Sequence, residues 1–162
     1  MPALSAQQAL ELIRNARSDP MGLWPPGLLG LIGGIDAPDA YRALAMLLRQ
    51  EPATVRARAA RLLGDAQNPE ALETLEPLLT DPDPTVRFCA VEAVEQFGAD
   101  DDMVGPLAEL IAGDVNPQVR ILAVRALFFV RSNPGAWTAL ELEAGDADPA
   151  VRAQAQDIIS QS

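Results

Sequence analysis

Asp81-Pro-Asp83-Pro84-Thr-Val86-Arg87-Phe-Cys89-Ala90-Val-Glu-Ala93-Val94-Glu-Gln-Phe97-Gly98 is the stretch that decides the architecture of this chain. Its apolar residues Val86, Cys89, Ala90, Ala93, Val94 and Phe97 fall at steps of three and four, the spacing of one face of an α-helix. Asp83 and Pro84 provide a start, because a side-chain oxygen caps free N–H groups and proline fits the first turn. Gly98 provides an end. The pattern predicts a helix of about 12 to 14 residues.

Three other stretches open in the same way: Glu51-Pro-Ala-Thr-Val55-Arg56, Asn116-Pro-Gln-Val119-Arg120 and Asp148-Pro-Ala-Val151-Arg152. The valines of the four copies stand 31, 33 and 32 residues apart. A small residue follows each valine by four positions, at Ala59, Ala90, Ala123 and Ala155. The register reaches further. Leu62-Leu63-Gly64, Pro69-Glu70-Ala71, Leu75, Leu78 and Leu79 repeat Leu31-Ile32-Gly33, Pro38-Asp39-Ala40, Leu44, Leu47 and Leu48, displaced by 31 residues. A degenerate fifth copy thus stands upstream, with Trp24-Pro25 in the place of Val-Arg. After each first helix an acidic or Asn-Pro turn leads to a second one, over residues 71–80 or 103–112, again with leucines at helical steps. Alternation of period two occurs nowhere, so the expected fold is all-α.

The Asp-x-Asp-Pro-x-Val-Arg opening, the small residue after it and the closing leucines resemble HEAT repeats, most closely the bacterial HEAT-like kind found in phycobilin lyase subunits. The resemblance covers about residues 20 to 160. It implies a right-handed α-solenoid of about four to five helical hairpins. The expected organisation is a single domain over residues 1–162, with a capping helix in 1–18, repeats at 20–50, 51–80, 81–113 and 114–145, and a C-terminal capping helix in 146–162. Gln154, Gln156, Asp157 and Gln161 give that last helix the polar side a terminal repeat needs.

Composition narrows the chemistry. Histidine is absent and Cys89 is the only cysteine, which removes an internal disulfide framework and the usual zinc, haem and His-dependent catalytic arrangements. The Cys89 thiol falls on the inward stripe of its helix, away from any histidine or lysine that would activate it. No cofactor, metal or catalytic residue is expected. A net charge of −11 argues against binding to a phosphate backbone. No apolar run is long enough to span a bilayer, and no basic residue precedes an apolar run in residues 1–8, so the expected location is the cytoplasm. All twelve basic residues are arginine, a bias of the kind a GC-rich bacterial genome imposes.

The charges are sorted by helix. Residues 69–80, 99–113 and 134–145, the expected second helices, hold nine acids and no arginine, whereas the first helices of those repeats and the last helix hold eight arginines against three acids. In an α-solenoid the second helices line the concave face on which partners lie. The expected partner is therefore another protein, basic or of mixed charge, steered to Glu70, Glu73, Asp101, Asp102, Glu109 and Glu141. The other reading of the same acids is solubility. Trp137, at the start of a second helix, and Trp24, in a Pro-rich stretch, are candidate anchors; Phe128 and Phe129 are expected to pack. Arg56, Arg87, Arg120 and Arg152 are expected to pair between repeats with the acids of the turns, Asp81, Asp83, Asp114, Asp146 and Asp148, a ladder that the HEAT resemblance also implies.

The expected function is a non-catalytic scaffold or adaptor. The alternative carried by the resemblance is a bilin lyase or a phycobiliprotein-chaperone-like subunit, and the oligomeric state stays open.

Overall fold

In the computed structural model residues 4–18, 24–25, 27–33, 35 and 38–161 are described. Among them are ten α-helices and no strand: α1 (Ala6–Asn15), α2 (Leu28–Gly33), α3 (Pro38–Leu48), α4 (Ala53–Ala66), α5 (Leu72–Leu79), α6 (Pro84–Phe97), α7 (Val104–Gly113), α8 (Pro117–Leu127), α9 (Pro134–Glu143) and α10 (Pro149–Ser160). Single 3-10 turns at Pro69–Ala71 and Asp101–Met103 lead into α5 and α7, and a third, Phe128–Val130, follows α8. In sequence order α2/α3, α4/α5, α6/α7 and α8/α9 follow the four pairs of helices read from the repeat.

The openings of these helices show why the sequence folds this way. Asn68, Asn116, Asn133 and Asp148 each stand before a proline, and each side chain accepts a backbone N–H of the first turn. Asp83 does the same for α6, accepting from the amides of Thr85 at 2.8 Å and Val86 at 3.3 Å. Helix α1 begins with a reciprocal capping box between Ser5 and Gln8. Helix α4 is the exception, since Pro52 offers no side-chain cap and the preceding residue is Glu51.

The protein forms two compact units, residues 1–93 and 94–162. In the first, α1 packs on α3 and α4, α2 on α4, and α3 on α5, so the second helices α3 and α5 lie side by side. Leu44, Leu48, Leu62, Leu63, Leu75 and Leu79 are fully enclosed, as is Tyr41, the largest side chain of this core. The buried Thr74 hydroxyl of α5 donates to the Tyr41 carbonyl at 2.8 Å, a polar tie between the two second helices. Burial raises the Tyr41 phenol to about 12. Leu28, Ile32 and Ile35 are buried too, which accounts for much of the apolar character of that segment; Leu23 lies outside the described residues.

In the second unit α8 packs on α7 and α10, and α9 packs on α7 and α10. Val119, Ala123, Leu127, Leu140, Val151 and Ala155 close its core. The valine and the small residue of the Val-Arg opening are thus the residues that face inward. Helix α8 ends at Leu127 and tightens into the 3-10 turn.

Candidate interaction surface

The arginines of the repeat join consecutive turns. Arg56 reaches back to the Glu51 carbonyl at 2.6 Å and forward to both oxygens of Asp81 at 2.6 and 2.7 Å. Arg120 reaches back to the Asp114 carbonyl at 2.7 Å and forward to both oxygens of Asp146 at 3.1 Å. Arg87 and Arg152 donate to the carbonyls of Asp81 and Asp146, at 2.8 and 2.5 Å. The turn acids divide the work: Asp81 and Asp146 take arginines, while Asp83 and Asp148 cap helices. Of the expected ladder, the Arg56–Asp81 and Arg120–Asp146 pairs are present, with capping and pairing carried by different acids.

In the first opening Pro52 holds the place of the capping Asp or Asn, three residues before the valine, and Glu51 lies just ahead of it. The Glu51 side chain reaches Arg14 of α1 at 2.5 Å and 3.2 Å, fastening the leading helix to the first full repeat. Those bonds hold the Glu51 carboxyl below its ordinary range.

Glu143 and Asp146 are a second departure. Burial, then the neighbouring Asp146 carboxyl, raises Glu143 to about 7, and its Oε2 is buried without a hydrogen-bond partner. For Asp146 burial opposes ionisation, but the Arg120 fork and the Asp148 amide outweigh it and keep the carboxyl low.

The acids predicted to bind a partner fall into two situations. In the first unit, Glu70 is exposed on the 3-10 turn before α5, and Glu73 is paired with Arg42 of α3 at 3.0 Å. The degenerate repeat thus supplies an arginine on its second helix, and Glu73 is occupied within the protein. In the second unit, Asp101, Asp102 and Glu109 on the α7 side and Glu141 on α9 are all exposed. Among the described residues none of these four forms an ion pair. The start of α9 lies against the start of α7: Asn133 donates to Asp101 at 3.0 Å, and a Cβ at Gly135 would stand 3.2 Å from a Val104 methyl. Glycine permits this approach. Trp137, half-buried, donates its indole N–H to Glu141 at 2.8 Å, so both belong to one patch. Trp24 is held elsewhere, on α4, by a 2.6 Å bond to Asp65 and by Arg61, 5.8 Å from its ring.

Two features were missed in the sequence. Phe129 is 52% exposed, while Phe128 beside it is part-buried under the Arg131 guanidinium at 4.0 Å. Their adjacency already placed them on different faces; the 3-10 turn turns Phe129 outward over Gly98. The other is Arg49, which lines a cavity of the first unit. Cys89, by contrast, is buried as expected, and burial pushes its thiol up.

Packed helical hairpins without a strand among the described residues place the protein in the all-α, helical-solenoid class. A family profile described as HEAT repeats matches residues 41–128. The chain belongs to the HEAT-repeat family. That match is to HEAT repeats at large and says nothing of the narrower phycobilin-lyase-type resemblance. Among solved structures, an engineered protein from the Northeast Structural Genomics Consortium is similar in fold, with a TM-score of 0.56 and 20% identity over 95% of this chain and 78% of that one. No curated protein matches in sequence.

Proposed function

We propose that the protein is a non-catalytic scaffold or adaptor that docks a basic or mixed-charge segment of another protein on its second helices. The carrying observation lies in the second unit: Asp101, Asp102, Glu109 and Glu141 stand exposed and without an arginine partner on two neighbouring helices, with Trp137 among them. Acids kept only for solubility have no need of this segregation. HEAT repeats commonly act as interaction scaffolds, and in helical-repeat proteins the second helices form the binding face. Glu70 of the first unit belongs to the same class of surface, and Glu73 joins it only by giving up Arg42. Trp24 offers an apolar contact at the edge of α4. A protein at −11 does not attract nucleic acid or an anionic membrane surface. With one buried cysteine and no histidine, a catalytic centre of the Cys- or His-dependent kind is not at hand, and the setting we assign is the cytoplasm.

The test is affinity capture by the full-length protein at low and moderate salt, comparing wild type with a D102R/E109R/E141R variant. The proposal expects a partner that wild type retains, that salt weakens and that the variant loses. Equal retention by both proteins overturns the acidic surface as the docking face.

A further inference from the structure

Arg49, just beyond α3, is exceptional among the arginines. The other eleven each engage a carboxylate, a backbone carbonyl or an aromatic ring, whereas the Arg49 guanidinium engages nothing among the described residues. It lines a cavity of about 330 Å³ within the first unit, with Arg56, Pro77, Leu78, Thr80 and Asp81. That volume is at the small end of ligand pockets, roughly 300–1,000 Å³.

The electrostatics of this pocket are simple. Arg56 and Asp81 face each other through a two-bonded fork, so their charges offset one another and both side chains are fixed. Arg49 is left as the uncompensated charge, positive in a protein whose net charge is −11. A guanidinium presents paired N–H donors that match the two oxygens of a carboxylate. The Thr80 hydroxyl, exposed and held only by a long 3.4 Å bond to the Pro77 carbonyl, is free to turn toward a bound oxygen. Pro77 and Leu78, with Ala45 and Pro82, form an apolar wall. A phosphate dianion fits this chemistry less well, because a single free cation faces its two charges.

We propose that this pocket is a carboxylate site, taking one carboxylate on a short apolar stem, from either an acidic side chain or the terminal carboxylate of a polypeptide. A lone exposed arginine–carboxylate pair contributes little affinity, so the site sets the register of a partner more than it holds one. The inference is independent of the acidic surface: the free protein alone supports its test, and either can fail without the other.

The test follows the Arg49 Nε–Hε resonance of the isotopically labelled full-length protein during titration with N-acetyl-glutamate α-amide, N-acetyl-alanine, N-acetyl-glutamine amide and inorganic phosphate. The expected result is a saturable shift in the millimolar range with one or both carboxylates, none with the glutamine control, and binding weakened at least about fivefold, near 1 kcal/mol, in Arg49→Gln. The stronger of the two carboxylates identifies the source. Because Arg49 is exposed and has no partner among the described residues, Arg49→Gln keeps the fold, which circular dichroism checks. Absence of a saturable shift from both carboxylates, unchanged binding in Arg49→Gln, or tighter binding of phosphate than of either carboxylate overturns the proposal.

Discussion

Arg56 and Arg120 each hold two turns at once, and this makes them structural arginines. In Arg56→Ala the Asp81 carboxylate, whose side chain is 6% exposed, loses its fork and the Glu51 carbonyl loses a donor. We expect a loss of about 2–4 kcal/mol in urea unfolding, with Arg56→Lys recovering only part of it because one ammonium cannot reproduce the fork. Glu143 has the opposite sense. Its carboxyl holds a proton up to about 7 when folded, against about 4.3 when unfolded. Its contribution is therefore fully present below about pH 4.3 and is lost as pH rises toward 7. Asp146, held low, contributes above its unfolded value near 3.9 and loses that contribution in more acid solution. Glu143→Gln should match wild type in stability at pH 4.5 and exceed it at pH 8 by about 1 kcal/mol, a figure reduced for the solvent that still screens the side chain. The Val-Arg openings and the pairing of their arginines were legible in the sequence because the spacing repeats. The Glu143–Asp146 contact was not, because it depends on how a helix end meets a turn.

At the scale of the element, helix ends carry the signal. Gln67 and Gly98 occupy equivalent places after α4 and α6, 31 residues apart like the valines that open them. Both have positive φ, 51° and 87°. Glycine accepts that conformation without cost and glutamine does not. Gln67→Gly should therefore stabilise by about 0.5–1 kcal/mol. Gly98→Ala should destabilise by about 1–2 kcal/mol, its new methyl meeting the Phe129 ring at 3.1 Å. Thermal unfolding of the two variants reads both signs. Loss of a cap in Asn116→Ala or Asp148→Ala should cost about 1 kcal/mol each. The start of helix α10 was legible, since Asp148-Pro149 marks it and the Asp148 side chain caps it. The 3-10 turns that begin α5 and α7, and the one that closes α8, were not. One-turn tightening of this kind has no period of its own, and that is why Phe129 was assigned to packing.

Across the whole molecule, the count of hairpins and the segregation of charge were legible because four copies reinforce one another. Less legible was the second helix of the degenerate copy: reading acids only on the later second helices left out Arg42 of α3, which occupies Glu73, and Arg49 just beyond α3, which has no acid three or four residues before it. The candidate surface accordingly rests more on α7 and α9 than on α5. Hydrogen–deuterium exchange of the full-length protein, alone and with the partner it captures, tests this most directly. The account predicts slowed exchange over residues 101–109 and 134–142, diminished by salt together with binding. Protection confined to α8 and α10 around Phe129, with α7 and α9 unchanged, would contradict it.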